Sequence, residues 1–301
     1  MLSLILNEPF RAVFYAPFYV AEERGSFARQ GLDVRMVNVG DPNQAAQDLL
    51  DGNADVAWSG PMRPMLRLSQ DPNFPLRTFG AVVMKDPFLL ISRKERPGFR
   101  IADLASLRMG VTSEVPTPWW CLQDDIRRAG LDPMQFDLVL GRTMAENSAA
   151  LVAGEIDIAM VFEPFGSALE EQGMFVCYAA ASRGPTSYSA FYATQTCITE
   201  RRAALQAMIR GMAETQAWIT RADPVEIAET IAPRFLEIGR DRLLRSLERY
   251  QSLGIWAETP MFPSEALDRL AAAMISSGAM SHHPGFSACV DVELVQTATA
   301  T

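Results

Sequence analysis

The side chains best able to do chemistry fall in four short stretches. The first, Asn7 to Tyr19, carries Glu8, Arg11, Phe14, Tyr15 and Phe18. Aromatic rings in a loop stack on planar ligands; the competing reading puts Phe14 and Phe18 in the core, where aromatics mostly reside. The second, Trp58-Ser59-Gly60-Pro61, offers the Ser59 hydroxyl and, at Gly60, a backbone open to close approach. Its alternative is a tight turn with a serine helix cap. The third, Thr112 to Cys121, holds Ser113, Glu114, Thr117, Trp119 and Trp120 around Pro116 and Pro118. Pro118 suits the first turn of a helix, and one tryptophan is expected to wall a pocket while the other enters the core. Glu114 would repel an anion and bond an amino or ring N–H group, unless it faces solvent as most glutamates do. In the fourth, Val161 to Phe165, Glu163 ends an apolar strand and either faces a cleft or caps the next helix. Asp86 and Arg142 are weaker candidates, Arg142 because its fork matches a carboxylate. Together these types point to a small neutral or cationic nitrogen heterocycle, or a related aromatic, as ligand.

Other chemistries find less support. The four cysteines, Cys121, Cys177, Cys197 and Cys289, form no C-x-x-C pair, and the two histidines, His282 and His283, are adjacent. Neither zinc-ligand spacing nor a histidine placed to activate a nucleophile is present. Cys121, beside the tryptophans, could be a nucleophile if a helix N-terminus lowered its pKa; a buried helix cysteine is the alternative. No metal or cofactor is expected. A net charge of −9 with no basic run argues against nucleic acid.

The elements that must position these residues alternate between strand and helix, which implies parallel sheets with crossover helices. Leu2 to Leu6 reads as a buried strand, too short to span a membrane. Helical composition over Pro17 to Gln30 stops at Gly31, and Asp33 to Val39 alternates as a strand does. Pro42 to Asp51 reads as a helix closed by Gly52, and Asp55 to Trp58 as a short strand. The same order recurs later: Gly31-Leu32-Asp33 and Asp51-Gly52-Asn53-Ala54-Asp55 in one copy, Gly130-Leu131-Asp132 and Ala153-Gly154-Glu155-Ile156-Asp157 in the other. Two lobes on one plan explain this repeat, and 301 residues exceed what one core comfortably serves. Arg201 to Ala222, Pro224 to Tyr250 and Pro263 to Ser276 read as helices, and Val290 to Thr301 as a tail without helical periodicity.

These residues resemble a known family. Ala16-Pro17-Phe18-Tyr19-Val20-Ala21-Glu22-Glu23-Arg24-Gly25-Ser26-Phe27 followed by Gly31-Leu32-Asp33-Val34 is similar to the opening signature of the NMT1/THI5-like solute-binding proteins. Ile101-Ala102-Asp103-Leu104 with Met109-Gly110-Val111, Ala150 to Asp157 with Glu163-Pro164, and Tyr192-Ala193-Thr194 resemble later pieces in the family's order. The resemblance covers roughly residues 5 to 225. It implies an α/β type II periplasmic-binding-protein fold with a two-strand hinge, here near Ala81 to Lys85 and Ser189 to Ala193. Lobe one would be residues 1–84 plus 191–301, and lobe two residues 85–190. It further implies a monomeric solute-binding component of an ABC importer, partnered by a permease and an ATPase. Relatives that bind nitrate or sulfonate carry small residues where Glu114 stands. Location would be extracytoplasmic where a signal has been removed, and cytoplasmic where Met1 is the native start. The alternatives are a cytoplasmic enzyme on this fold, resembling a pyrimidine synthase, desulfinase or decarboxylase, and a sensor domain.

Overall fold

The computed structural model describes residues 2–300. The first repeat builds β1 (Leu2–Glu8), α1 (Ala16–Glu23), α2 (Ser26–Arg29), β2 (Leu32–Asn38), α3 (Pro42–Leu50), β3 (Val56–Ser59), α4 (Met62–Gln70) and β4 (Leu76–Val83). The second builds β5 (Leu89–Ser92), β6 (Met109–Thr112), α5 (Thr117–Arg128), β7 (Leu138–Arg142), α6 (Met144–Ala153), β8 (Ile158–Val161), α7 (Phe165–Glu170) and β9 (Phe175–Ala179). The chain then returns through β10 (Ser189–Thr194) and runs as helices: α8 (Gln195–Glu200), α9 (Arg202–Ile219), α10 (Pro224–Ile231), α11 (Arg240–Leu253), α12 (Ser264–Ser276), α13 (Phe286–Cys289) and α14 (Val292–Thr299).

Two five-stranded sheets result, in the orders β2-β1-β3-β10-β4 and β7-β6-β8-β5-β9. They are mixed rather than wholly parallel. In the first, β10 runs antiparallel between β3 and β4; in the second, β5 runs antiparallel between β8 and β9. The expectation of parallel sheets held for the βαβ units, which pair β1 with β2 and β6 with β7. It failed for the strands that follow a passage between sheets, because those enter from the opposite side. The two passages run over residues 84–88 and 180–188.

Three further expectations are corrected. The helix read over Pro17 to Gln30 breaks at Gly25, whose φ of 69° is left-handed. The helix read over Pro224 to Tyr250 breaks at residues 232–239, where Pro233 withholds a backbone N–H and Phe235 turns in against Tyr19. The segment read as a tail contains α14, capped by the Asp291 carboxylate, which accepts from the Leu294 N–H. Its buried residues Leu294, Val295 and Ala298 pack on α9; three apolar positions in so short a helix, separated by Gln296 and Thr297, leave no clear period.

The C-terminal helices also reach the second sheet's layer: α11 packs on α7 and α12 on α5. Gly166 permits the first contact, since a Cβ there would stand 3.3 Å from Arg249 Nη1 and 2.7 Å from Leu89 Cδ1. The carboxyl ends of β1, β3, β6 and β8 thus face one another across a cleft, held from outside by α11 and α12.

Candidate ligand-binding site

In open α/β sheets the groove outside the carboxyl strand ends is where ligands are held. A cavity of about 20 Å³ lies there, lined by residues of both sheets' loops and of both passages. Phe10, Phe14 and Tyr15 follow β1; Ser59 ends β3, and Gly60 and Arg63 follow it; Val115 and Thr117 follow β6; Phe162 follows β8. Phe88 and Tyr188 come from the passages. The volume is on the scale of a single water molecule. It is small because the wall rings close on each other: Phe14 meets Phe162 edge-on at 5.2 Å and Tyr188 at 5.9 Å, while Phe88 meets Phe162 at 5.2 Å. Phe14 is fixed by its backbone carbonyl, which accepts from Trp256 Nε1–H at 3.0 Å.

Two polar groups in this wall lack the partners their neighbours have. The Arg63 guanidinium donates to neutral acceptors, the Ser59 hydroxyl at 3.2 Å and Asn43 Oδ1 at 3.4 Å, and lies against Met62 Sδ. The Tyr188 hydroxyl is buried with no hydrogen-bond partner among the described residues. Burial pushes the Tyr188 and Tyr15 hydroxyls well above the usual phenol range, so both stay protonated donors.

Of the residues expected from the sequence, Phe14, Tyr15, Ser59, Gly60 and Thr117 line this cavity. Gly60 serves a close approach, but of protein: a Cβ there would lie 3.3 Å from the Tyr188 carbonyl oxygen. The others stand elsewhere. Phe18 is fully buried and stacked on Trp58, with ring centroids 4.4 Å apart. Glu8 is buried, accepting from the Tyr19 hydroxyl at 2.7 Å and pairing with Arg11, which also donates to the Arg234 carbonyl. Ser113 is exposed, and its N–H donates to the Arg142 carbonyl. Glu114 accepts from the Met144 N–H at 2.8 Å and from the Thr112 hydroxyl, so it caps α6. Trp119 packs on the main core and Trp120 on the cluster around Leu267 and Met274. Glu163 is fully buried, paired with Arg249 and accepting from the Ser167 N–H in the first turn of α7.

Asp86 is bound by Arg183 at 2.8 Å, and burial raises its pKa against that pairing. Arg142 pairs with Glu155. Burial pushes the Cys121 thiol up to about 12, and Cys121 does not line the cavity. His283 pairs with Asp268 near the C-terminus.

The sequence reading passed over Phe10, Arg63, Phe88, Val115, Phe162 and Tyr188. Arg63 had left a signal. It sits in the first turn of α4, where a cation opposes the helix dipole, and a residue that breaks a local rule marks a functional position.

Two sheets joined by two passages, with a ring-lined cavity between their loops, form the two-lobed type II periplasmic-binding-protein fold. The chain belongs to the NMT1/THI5-like family, whose sequence profile matches residues 14–227. It is 23% identical over 292 residues to a protein named as a binding protein, YtlA of Bacillus subtilis (strain 168), covering 96% of this chain and 87% of that one. The fold superimposes on the periplasmic aliphatic sulphonate binding protein SsuA from Escherichia coli with a TM-score of 0.74 at 16% identity, covering 93% of each chain. It also superimposes on the desulfurization enzyme DSZB, with a TM-score of 0.70 at 13% identity over 100% of this chain and 99% of that one.

Proposed function

We propose that this chain is the solute-binding component of an ABC importer and that it closes two lobes on a small ring-bearing organic molecule. One lobe is residues 1–84 plus 191–301 and the other 85–190, with hinges at Ala81 to Lys85 and Ser189 to Ala193. A permease, powered by an ATPase on the cytoplasmic side, would receive the loaded protein outside the cytoplasm. The observation that carries the reading is the cavity wall: loops of both sheets contribute to one aromatic lining, so a ligand there touches both lobes at once. Such a ligand stabilises the closed form by its differential affinity for it.

Support for binding rather than turnover comes from the lining itself. It holds no cysteine, histidine or carboxylate, and a general base must stand within hydrogen-bond reach of its proton. The test is a titration with aromatic carboxylates, sulfonates and pyrimidines followed by tryptophan emission and small-angle scattering. Saturable binding with a compaction of the particle and no chemical change in the recovered ligand is expected. Conversion of the ligand to a product would overturn the reading.

A further inference from the structure

We infer that the cavity takes an aromatic acid, its ring held among Phe14, Phe88, Phe162 and Tyr188 and its anionic group on Arg63. The inference rests on the solute-binding reading and deepens it.

Three observations converge. First, the cleft closes on itself by ring-to-ring contact, Phe14 on Phe162 and Phe88 on both Phe162 and Tyr188. A planar ring entering between the lobes replaces each of these contacts with one of the same kind, so its entry forfeits little of what holds the lobes together. The 20 Å³ present cannot hold such a ring, so entry and lobe separation are one event.

Second, Arg63 carries the one full charge in the cavity lining, and its side chain is met by a hydroxyl, an amide oxygen and a thioether. Arg183, Arg234 and Arg249 each bind two acids, whereas Arg63 has no carboxylate within reach among the described residues and, of the guanidiniums so placed, is the one that lines the cavity. A guanidinium's fork matches the two oxygens of a carboxylate or the face of a sulfonate. Third, Tyr188 lines the same cavity, and its hydroxyl is buried, protonated and without an acceptor among the described residues. A buried donor left in that state is costly, and an anion oxygen satisfies it. The acids that would have favoured a nitrogen-bearing ligand, Glu114 and Glu163, are both engaged within the protein.

The test is calorimetric titration of the full chain with four probes of one shape: benzoate, benzenesulfonate, benzamide and benzylamine, with propanesulfonate as an aliphatic control. Wild-type protein is expected to bind an aromatic anion at least about 10-fold more tightly than benzamide and to reject benzylamine. Arg63→Gln should weaken the anion about 10- to 100-fold and leave benzamide within about 2-fold; Tyr188→Phe should weaken the anion about 3- to 10-fold. The wild-type ranking needs no variant, and the thermal transition of each unliganded variant checks its fold. Equal binding of benzamide or benzylamine, preference for propanesulfonate, or an anion affinity untouched by Arg63→Gln would overturn the ligand class and leave the clamp standing. Absence of binding by every probe at millimolar concentration would overturn both.

Discussion

Arg249 places its Nη1 2.7 Å from Glu163 Oε1, so a helix of the C-terminal third closes a salt bridge on the end of a strand in the other sheet. The next residue along, Tyr250, accepts a hydrogen bond at its hydroxyl oxygen from the Glu163 N–H at 2.8 Å. Side chain and backbone of Glu163 are thus both answered by α11.

That pairing sets the first prediction. Arg249→Ala leaves a fully buried carboxylate with only the Ser167 N–H and the Ser246 hydroxyl as donors. Breaking one side of a buried pair costs about 3–5 kcal/mol. Urea unfolding of Arg249→Ala should show a loss of that order, and adding Glu163→Gln should recover much of it by removing the stranded charge. A loss below about 1 kcal/mol would mean that the pair does not hold the helix.

The thiols set the second. Burial pushes Cys121 and Cys177 from 9.0 up to about 12, and Cys197 and Cys289 up to about 11. Between pH 9 and those values the native state holds more protons than the unfolded chain, so stability falls as pH rises through that window and is fully present below it. At pH 8, iodoacetamide should label Cys121 in the native protein about three orders of magnitude more slowly than in denaturant, following its thiolate fraction. Rapid native alkylation of Cys121 would contradict its burial.

The third concerns the end of the chain. Leu294 is fully buried, on the face of α14 that packs against α9. Leu294→Ala should destabilise the protein by about 2–4 kcal/mol, as truncations of well-packed leucines do. Thermal unfolding decides it; an unchanged midpoint would restore the reading of this segment as a dispensable tail.

What could be read in advance follows from how local each signal was. The repeat was legible because Gly31 and Gly130, and again Gly52 and Gly154, each adopt left-handed backbone at the same place in its unit, and that need is written in one residue. The insertion of β10 between β3 and β4 was not legible, since Ser189 to Thr194 carries only a buried strand pattern and says nothing of its neighbours. The site divided along the same line. Phe14, Tyr15 and Ser59 face the cavity from loops whose position follows from the strands before them. Glu114 and Glu163 occupy equivalent loop positions, but their orientation was decided by distant partners, the Met144 N–H and Arg249. A carboxylate near a helix start can serve that helix or a ligand, and the sequence pattern is the same for both.

The strand order of the first sheet carries a consequence for how the molecule is made. Strand β4 reaches β3 only through β10, which the chain supplies more than a hundred residues later, whereas all five strands of the second sheet lie between Leu89 and Ala179. A ribosome therefore delivers a complete set of strands for the second sheet while the first still has a gap in its middle. Closing that gap carries the loop-closure entropy of the whole intervening lobe, which is smaller once that lobe has already collapsed. The lobe written second is thus the one positioned to fold first, and the one begun at Leu2 waits for its own ends to meet.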